Sequence, residues 1–278
     1  MADYTITIGN VTITAVSDGR MEMPVADFFP SVSSEEWEPY RDQLTPEGNI
    51  ALNVGSFLLR SEGKTVLVDT GLGGADWGLQ GAVFGLLLGD MRGKGVGVED
   101  IDEVVITHLH RDHVGWNLVH DEGDVRPTFP NARYRIPKAD WDIFTRRDGM
   151  AAFEYIREQV TPLKDLGVLD LMEGEQAVTG ELTALPAPGH TPGHTCVRIS
   201  SRGERGVILG DAAHHPAQAQ ETDWSPRADT DPDVSRATRR ELMDRIERDG
   251  AVAASGHFPA SGFGRLVRLK GRRYWQAL

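Results

Sequence analysis

The chain has 278 residues, of which 40% are hydrophobic and 26% are charged, and its formal net charge is −13. These proportions are ordinary for a soluble globular protein, and the length is sufficient for a large core in one or two domains. The negative charge disfavours nucleic acids and anionic membrane surfaces as partners, because both attract basic proteins.

The cysteine content and the N-terminus indicate where the protein works. Cys196 is the only cysteine, which excludes a disulfide within the chain and is compatible with a reducing compartment. We expect it to be a small buried residue of a strand. The first residues lack a basic segment followed by an apolar run, and the longest mostly apolar stretch, residues 81–89, is too short to span a bilayer. We therefore expect a cytoplasmic enzyme with a small-molecule substrate, no nucleic-acid or membrane partner, and a homodimer as an option.

The first half of the chain predicts strands joined by hairpins and loops. Residues 4–9 and 11–16 alternate apolar and polar side chains around Gly9-Asn10, which predicts a β-hairpin. Residues 20–49 form a long aromatic-bearing segment predicted to be irregular. The glycine-rich residues 71–97 are compatible with a helix or a loop. The other strands predicted in this half span residues 52–60, 65–68, 104–107 and 133–136, and a helix starting at residues 138–147 is predicted to continue, with a break, towards Val160.

The second half predicts strands around one long helix over residues 231–249. Asp231-Pro232 supplies an N-cap aspartate and a proline at the first helical position. The arginines of this helix alternate with acidic residues, which predicts a solvated, ion-paired face. With no proline- or serine-rich linker, residues 1–278 are predicted to form one domain with sheets inside and helices outside. The strands predicted here span residues 182–185, 195–199, 207–209, 251–255, 263–269 and 272–276, and the helical arginines are at 236, 239, 240, 245 and 248.

Four clusters of metal-type ligands each follow a strand-like run. The densest is the segment 107–113, Thr-His-Leu-His-Arg-Asp-His, and the others contain His190, Asp211 and His257. The spacing of His108 and His110 places both imidazoles on one side of an extended chain. Ligands gather at the carboxyl ends of strands in open α/β sheets. Buried polar groups without partners are costly, so these clusters predict a bound divalent metal.

The number of candidate ligands indicates two metal ions. Five histidines and two aspartates are too many for one tetrahedral ion and suit two ions that share a bridge. Two divalent ions with two carboxylates and a bridging hydroxide retain positive charge, which favours an anionic transition state, and a metal activates water near neutral pH. Without a thiolate in the set, zinc, iron, manganese and cobalt all remain possible, with zinc preferred. The predicted ligands are His108, His110, Asp112, His113, His190, Asp211 and His257.

These motifs, together with the strand end Val68-Asp69-Thr70-Gly71, resemble the metallo-β-lactamase superfamily over nearly the whole chain. The resemblance implies an α/β fold, a four-layer αββα sandwich of two mixed sheets, with the site along one edge of the sheets. It also implies a ligand assignment. The first metal would be held by His108, His110 and His190, the second by Asp112, His113 and His257, and Asp211 would bridge the two.

Within the superfamily, the chain looks most like the branch that contains methyl parathion hydrolase and related lactonases. The motifs are Gly210-Asp211-Ala-Ala-His214, the helix after Asp229-Thr-Asp-Pro232, and Ser255-Gly-His257-Phe258-Pro259. Lactonases that cleave acyl-homoserine lactones typically carry a tyrosine three residues after the bridging aspartate, where this chain has His214. The resemblance implies a dinuclear hydrolase in which a bridging hydroxide attacks a lactone, an aryl or alkyl ester, or a phosphotriester. The alternatives are a glyoxalase II-type thioesterase, a β-lactamase, a nuclease and a mononuclear iron dioxygenase.

The remaining candidates have supporting roles. We expect Asp112 or Asp211 to relay a proton and His214 to line the pocket or steady an oxyanion. Asp69 is expected to order a ligand histidine or the loop backbone. His194 competes locally with His190 and is expected to pack behind the site. His120 and His215 are expected to have no role at the site, and the aromatic residues that could wall the pocket are Phe28, Phe29, Trp77, Phe84, Trp116 and Phe258.

Overall fold

The computed structural model describes residues 4–74, 82–121, 123–146, 153–259 and 261–278. These residues form two seven-stranded mixed sheets and a separate two-stranded ribbon. The two large sheets pack face to face, and helices cover their outer faces. The predicted αββα sandwich is therefore confirmed.

The N-terminal half of the chain supplies the first sheet and the ribbon. Its strands are β1 (Thr5–Ile8), β2 (Val11–Pro24), β3 (Asn49–Ser61), β4 (Lys64–Val68), β5 (Glu103–Val105), β6 (Leu118–Asp121), β7 (Asp124–Pro127), β8 (Arg133–Pro137) and β9 (Leu169–Met172). The sheet order is β1-β2-β3-β4-β5-β8-β9, antiparallel as far as β4 and parallel from there on. The strands β6 and β7 form the ribbon.

The C-terminal half supplies the second sheet. Its strands are β10 (Gln176–Ala177), β11 (Leu182–Pro186), β12 (Thr195–Ser201), β13 (Glu204–Ile208), β14 (Val252–Ala254), β15 (Phe263–Leu269) and β16 (Arg272–Ala277). They pair in chain order, and only the β13–β14 pair is parallel. Cys196 on β12 is 1% exposed, as expected for a packing residue, and burial raises the pKa of its thiol to about 12.

The helices differ greatly in length. They are α1 (Val25–Phe28), α2 (Ser34–Trp37), α3 (Leu87–Gly93), α4 (Arg111–Val114), α5 (Lys138–Phe144), α6 (Glu154–Gln159), α7 (Pro162–Asp165) and α8 (Pro232–Asp249). As predicted, the side chain of Asp231 caps α8 by accepting from the Val234 N–H at 3.1 Å. None of the helices among the described residues is long and apolar enough to cross a membrane.

The hydrophobic core lies in three layers. Ile13 and Phe57 of the first sheet share a buried cluster with Val197 of the second, so this layer joins the two sheets. Met91 of α3 packs against the outer face of the first sheet, and Met243 of α8 packs against that of the second. These layers fix the positions of the strand ends from which the candidate ligands project.

The segment 20–49 is more regular than predicted. The strand β2 continues through Pro24 and stays paired with β3 as far as Asn49. A bulge between Ser17 and Gly19 shifts the pairing and breaks the period-two pattern, which is why the sequence did not reveal the second part of the strand. Beyond it, α1 and α2 bury an aromatic cluster that includes Phe29 and Trp37.

The two other uncertain segments are resolved in part. The glycine-rich stretch contains α3, while residues 75–81, and Trp77 with them, lie outside the described residues. The helix predicted from residue 138 ends at Phe144, and α6 begins at Glu154. Arg147, the predicted end of its first part, is also outside the described residues.

The prediction for the arginines of α8 is wrong at one position. Arg236 and Arg240 form the expected surface ion pairs with Asp233 and Asp223. Arg239 instead points inward and is 0% exposed. A buried guanidinium is tolerated only where acceptors surround it, and the charge pattern of a helix carries no information about acceptors supplied by distant loops.

Candidate metal centre

All seven predicted ligands converge at one edge of the sandwich. His108 to His113 follow β5, His190 follows β11, Asp211 follows β13 and His257 follows β14. We call His108, His110, His190 and Asp211 the first donor group, and Asp112, His113 and His257 the second donor group. Within each group, ligand atoms lie within 4.8 Å of one another, and a third, overlapping group consists of Asp211, His214 and His257.

Asp211 lies between the two donor groups. Its Oδ2 atom is 3.2 Å from His190 Nε2 and 3.6 Å from His108 Nε2. Its Oδ1 atom is 3.2 Å from both His113 Nε2 and His257 Nε2. His257 Nε2 is also 3.3 Å from Oδ2. The carboxylate of Asp211 therefore contacts histidines of both donor groups, which is the arrangement that a bridging ligand needs.

The unsatisfied atoms of this cluster fit metal ions. Within the two donor groups, three buried atoms make no hydrogen bond to a described residue, namely His108 Nε2, His113 Nε2 and Asp211 Oδ1. Burial alone would raise the pKa of Asp211, but the nearby charges of His113 and His257 hold it well below its usual value. An ionised, buried carboxylate close to imidazole nitrogens, two of which have no hydrogen-bond partner, is a donor set suited to divalent cations.

A proton is shared within the first donor group. Burial, together with the charge of His190, lowers the pKa of His110 to about 3. Burial opposes protonation of His190 as well, but Asp211 and Asp229 outweigh it and raise its pKa to about 9. His190 Nε2 can therefore donate to His110 Nδ1, 2.9 Å away. A metal that takes these nitrogens displaces the proton, so metal binding releases protons.

The second donor group is held by nearby acceptors. Asp69 accepts from His113 Nδ1 at 2.8 Å and from the backbone N–H of Thr107 at 2.7 Å. Asp69 thus lies where the sequence predicted, behind a candidate ligand, and its φ of 62° is in the left-handed region, where a local constraint is needed to hold it. His257 Nδ1 donates to the Asn53 carbonyl at 2.8 Å.

Behind His190 lies a carboxylate that the sequence did not predict. Asp229 is buried and accepts from His190 Nδ1 at 2.9 Å, which leaves Nε2 directed towards Asp211. The pKa of Asp229 is about 2, since the hydrogen bond and charge of His190, with His214 and Arg239, outweigh the opposing effect of burial. In the sequence, Asp229 marked the start of a motif shared with the family branch, but nothing there assigned it a role at the site.

A second unpredicted carboxylate, Asp140 on α5, connects two ligand-bearing segments. It is fully buried and accepts from the Leu109 N–H at 3.1 Å, the Thr191 hydroxyl at 2.8 Å and the Gly193 N–H at 2.6 Å. Leu109 lies between two ligands of the first donor group, and Thr191 follows His190. Asp140 therefore fixes the spacing between the two segments of that group.

His194 lies behind the site, as expected, and orients the turn that carries Asp211. Its Nδ1 donates to the Ala187 carbonyl at 2.8 Å, and its Nε2 accepts from the Asp211 N–H at 2.8 Å. Gly210 makes this possible. It has a φ of 52°, and a Cβ there would lie 2.6 Å from His194 Nε2.

The donor groups lie at the base of a cleft of about 370 Å³. Four apolar side chains, which we call the apolar wall, line the same cleft, and they are Met21, Met23, Phe28 and Leu52. Arg111, Arg227 and Ala228 line it as well. His214 faces the same cleft, with Nε2 at 3.0 Å from Asp211 Oδ2 and its ring 5.3 Å from that of Phe28. The cleft thus combines a polar base with an apolar wall, as small-molecule sites usually do.

The other candidates lie away from the cleft. Phe29 and Phe258 are 0% exposed in the core, Phe84 is half-buried, and Trp116 packs against the first sheet and donates to Asp18. His120 is exposed and contacts the Glu158 carbonyl, while His215 is buried in the aromatic cluster and accepts from the Ala217 N–H. Among the described aromatic candidates, only Phe28 therefore walls the cleft.

Relatives of known name share much of this chain. An N-acyl homoserine lactonase of Bacillus thuringiensis is 27% identical over 229 residues, which cover 77% of this chain and 84% of the relative. The uncharacterised protein YobT of Bacillus subtilis is 30% identical over 172 residues, 57% of this chain and 61% of YobT. The N-acyl homoserine lactonase AttM of Rhizobium radiobacter is 25% identical over 174 residues, 61% of this chain and 62% of AttM.

Solved structures share the fold over the whole chain. The dizinc quorum-quenching lactonase AidC, in complex with the product N-hexanoyl-L-homoserine, superposes with a TM-score of 0.84 at 24% identity, covering 100% of this chain and 97% of AidC. The hydrolase AbOPH superposes with a TM-score of 0.86 at 23% identity, covering 100% and 98%. The family profile of the metallo-beta-lactamase superfamily matches residues 50–257. The chain belongs to the metallo-beta-lactamase superfamily, as the sequence motifs predicted.

Proposed function

We propose that this metal-dependent hydrolase opens lactones that carry an apolar substituent. The observation that carries the proposal is the position of the two donor groups, which share Asp211 in a cleft that is also lined by apolar side chains. Its relatives include proteins named as N-acyl homoserine lactonases, which adds support. In the reaction, water adds to the ring carbonyl, the acyl–oxygen bond breaks, and the product is a hydroxy acid.

The donor groups would each hold one divalent ion. Nitrogen and oxygen donors without sulfur suit zinc, which we propose, as well as iron, manganese and cobalt. Bound ions would polarise the carbonyl and supply a water acidic enough to react near neutral pH. The proposed ligands are His108, His110 and His190 for the first ion, Asp112, His113 and His257 for the second, and Asp211 for both.

Three side chains would handle protons and orientation. Asp211 and Asp112 are carboxylates next to the reacting region, and we assign the proton relay to them. His214 Nε2 can donate to Asp211 Oδ2, 3.0 Å away, and its buried Nδ1 makes no hydrogen bond within the described structure. Because its ring also touches Phe28, His214 would orient the bridging carboxylate and pack against the substrate.

The apolar wall would select the substituent of the lactone. Phe28 and Leu52 are buried, while Met21 and Met23 are half-buried, so an alkyl or acyl chain laid against them is removed from water. Burying a CH₂ group contributes about 0.8 kcal/mol, so each added methylene should improve binding until the wall is covered. The ring would then lie at the polar base of the cleft.

A substrate panel tests this proposal. The metal-loaded protein is given lactones of increasing acyl length, an aryl ester, a thioester, a phosphotriester and a β-lactam, and acid release is followed in a pH-stat with chelator-treated protein as the blank. We expect the acyl-substituted lactones to have the highest kcat/KM, with release of one acid equivalent per ring. Faster cleavage of the thioester or the β-lactam, with the lactones left intact, would contradict the proposal.

A further inference from the structure

The largest fully buried side chain in the described structure is an arginine at the edge of the metal centre. Arg239 lies on α8 and is 0% exposed, whereas its neighbour Arg240 has 56% of its side chain exposed. Burying a guanidinium without acceptors is very costly, so its surroundings must compensate the charge and every N–H group.

The surroundings match the donors of Arg239 one for one. A guanidinium carries five N–H donors in a fixed planar geometry, and five contacts to acceptors surround this one. They are Nε to the Ala212 carbonyl at 2.7 Å, Nη1 to the Thr222 and Trp224 carbonyls at 2.9 Å each, and Nη2 to the Ser235 hydroxyl at 2.9 Å and to Asp229 Oδ2 at 3.3 Å.

Two of these acceptors connect Arg239 to the ligands. Ala212 directly follows Asp211, so the Nε contact holds the turn that presents the carboxylate shared by the donor groups. Asp229 accepts from Arg239 through one oxygen and from His190 Nδ1 through the other. One planar group therefore holds both the turn that carries Asp211 and the carboxylate that orients His190.

The backbone before His190 allows α8 to approach the first donor group closely. Gly189, which precedes His190, has a φ of 129°, and a Cβ there would lie 2.4 Å from the Ser235 Cα atom. Ser235 and Arg239 are four residues apart on α8 and thus face the same side, towards Asp229. Among the described residues, the second donor group is connected to Arg239 only through the shared Asp211, because its other supports are Asp69 and the Asn53 carbonyl.

We propose that Arg239 is a positioning residue that sets the metal affinity of the first donor group. It does so by holding Asp229 against His190 and by fixing the turn that carries Asp211. The inference rests on the proposed function only in that it takes the donor groups to be metal sites. Loss of Arg239 should release Asp229 and weaken the first donor group, while Asp112, His113 and His257 keep their supports.

The test compares metal affinities rather than activity. Purified wild type, Arg239→Met, Arg239→Lys and the surface control Arg240→Met are stripped of metal and titrated with Zn²⁺ against a chromophoric chelator. Elemental analysis gives the stoichiometry, and far-UV circular dichroism monitors folding. His190→Ala and His257→Ala supply reference titrations for damage to the first and second donor groups.

We expect Arg239→Met to retain one tightly bound Zn²⁺ and to bind the other about 10- to 100-fold more weakly, in the pattern of His190→Ala. Arg239→Lys should recover part of the affinity, and Arg240→Met should match wild type. Should Arg239→Met fail to fold, Asp229→Asn decides, because it keeps the shape of the side chain and should give the same selective loss.

Equal weakening of both ions, or two ions bound as in wild type by a folded Arg239→Met or Asp229→Asn protein, would overturn the inference. Failure of the proposed function is a different result. In that case wild type binds two ions but opens no lactone, and the comparison of affinities remains readable.

Discussion

The two donor groups differ in the structural elements that supply their supports. The second donor group relies on Asp69 and on the Asn53 carbonyl, which belong to the end of β4 and to β3 of the first sheet. The first donor group relies on Asp229, which in turn is held by Arg239 of α8, near the C-terminus. The comparison teaches that the second donor group is supported by residues of the first sheet, whereas the first donor group is complete only when α8 has docked.

The largest effect is expected from removing the carboxylate of Asp211, because both donor groups share it. Asp211→Ala removes the group that faces both donor groups, so we expect at most one bound metal per chain. We also expect a fall in kcat/KM of about 1,000-fold or more, the scale of several kcal/mol of lost electrostatic stabilisation. Asp223→Ala, whose parent carboxylate is 70% exposed, is the matched control. Two metals and full turnover in Asp211→Ala would show that Asp211 is not a shared ligand.

The support of the second donor group can be tested in the same way as Arg239 tests the support of the first. Asp69→Ala leaves His113 Nδ1 without its acceptor, so the second donor group should bind its ion about 10- to 100-fold more weakly. The first donor group should be unaffected in the same Zn²⁺ titration. Asp102→Ala is the control. Like Asp69, Asp102 accepts a hydrogen bond from a backbone N–H, that of Thr65, but among the residues described it contacts no ligand histidine. If Asp69→Ala weakened Zn²⁺ binding only at the first donor group, Asp69 would not be the support of the second.

The pH dependence of stability tests a buried histidine outside the donor groups. Burial lowers the pKa of His215 to about 4, with a weaker opposing effect of the Gln43 backbone. The unfolded chain binds this proton near pH 6.5 and the folded chain does not, so His215 makes stability fall as the pH drops from about 6.5 to about 4.

In chelator-treated protein, this contribution should amount to about 2 kcal/mol between pH 7.5 and pH 5. The measurement is urea unfolding at both pH values for wild type and His215→Gln, with the exposed His120→Gln as the control. The loss of stability on acidification should be smaller in His215→Gln by this amount. An equal loss in wild type and His215→Gln would show that His215 is not kept neutral by burial.

The smallest expected effect concerns the apolar wall of the cleft. Phe28→Ala removes a ring from the apolar side of the cleft, so KM for long-chain lactones should rise about 10-fold. The change in kcat should be small, because the ring does not carry charge in the reaction. Phe153→Ala, at a residue that is 43% exposed, is the control. An equal rise in KM for an unsubstituted lactone would show that the acyl substituent does not bind against Phe28.

The sequence predicted the parts of the site that are close together in the chain or lie at strand ends. The spacing of His108 and His110 and the strands before His190, Asp211 and His257 predicted ligands that gather at strand ends. The family resemblance then implied their division into two donor groups at one edge of the sheets. The strand signals are local, because each depends on the period of one strand and on the residues that follow it.

The supports behind the first donor group could not be predicted in this way. Asp140 and Asp229 are single aspartates whose partners lie far away in the chain, and Arg239 belongs to a helix with many other arginines. Nothing in a charge pattern distinguishes the one arginine that meets five acceptors from those that face water. Similarly, a bulge near Gly19 concealed the strand that carries Met21 and Met23 to the cleft.

The most direct test of a dinuclear hydrolase is to measure bound metal and lactone opening in the same preparation. Metal per chain is determined by elemental analysis while a chelator withdraws it and Zn²⁺ restores it, and the rate of ring opening is recorded at each step. We predict about two metals per chain at full rate, loss of turnover as metal is withdrawn, and recovery as the second ion returns. Ring opening that persists in metal-free protein, or one iron per chain with no hydrolysis, would contradict the account.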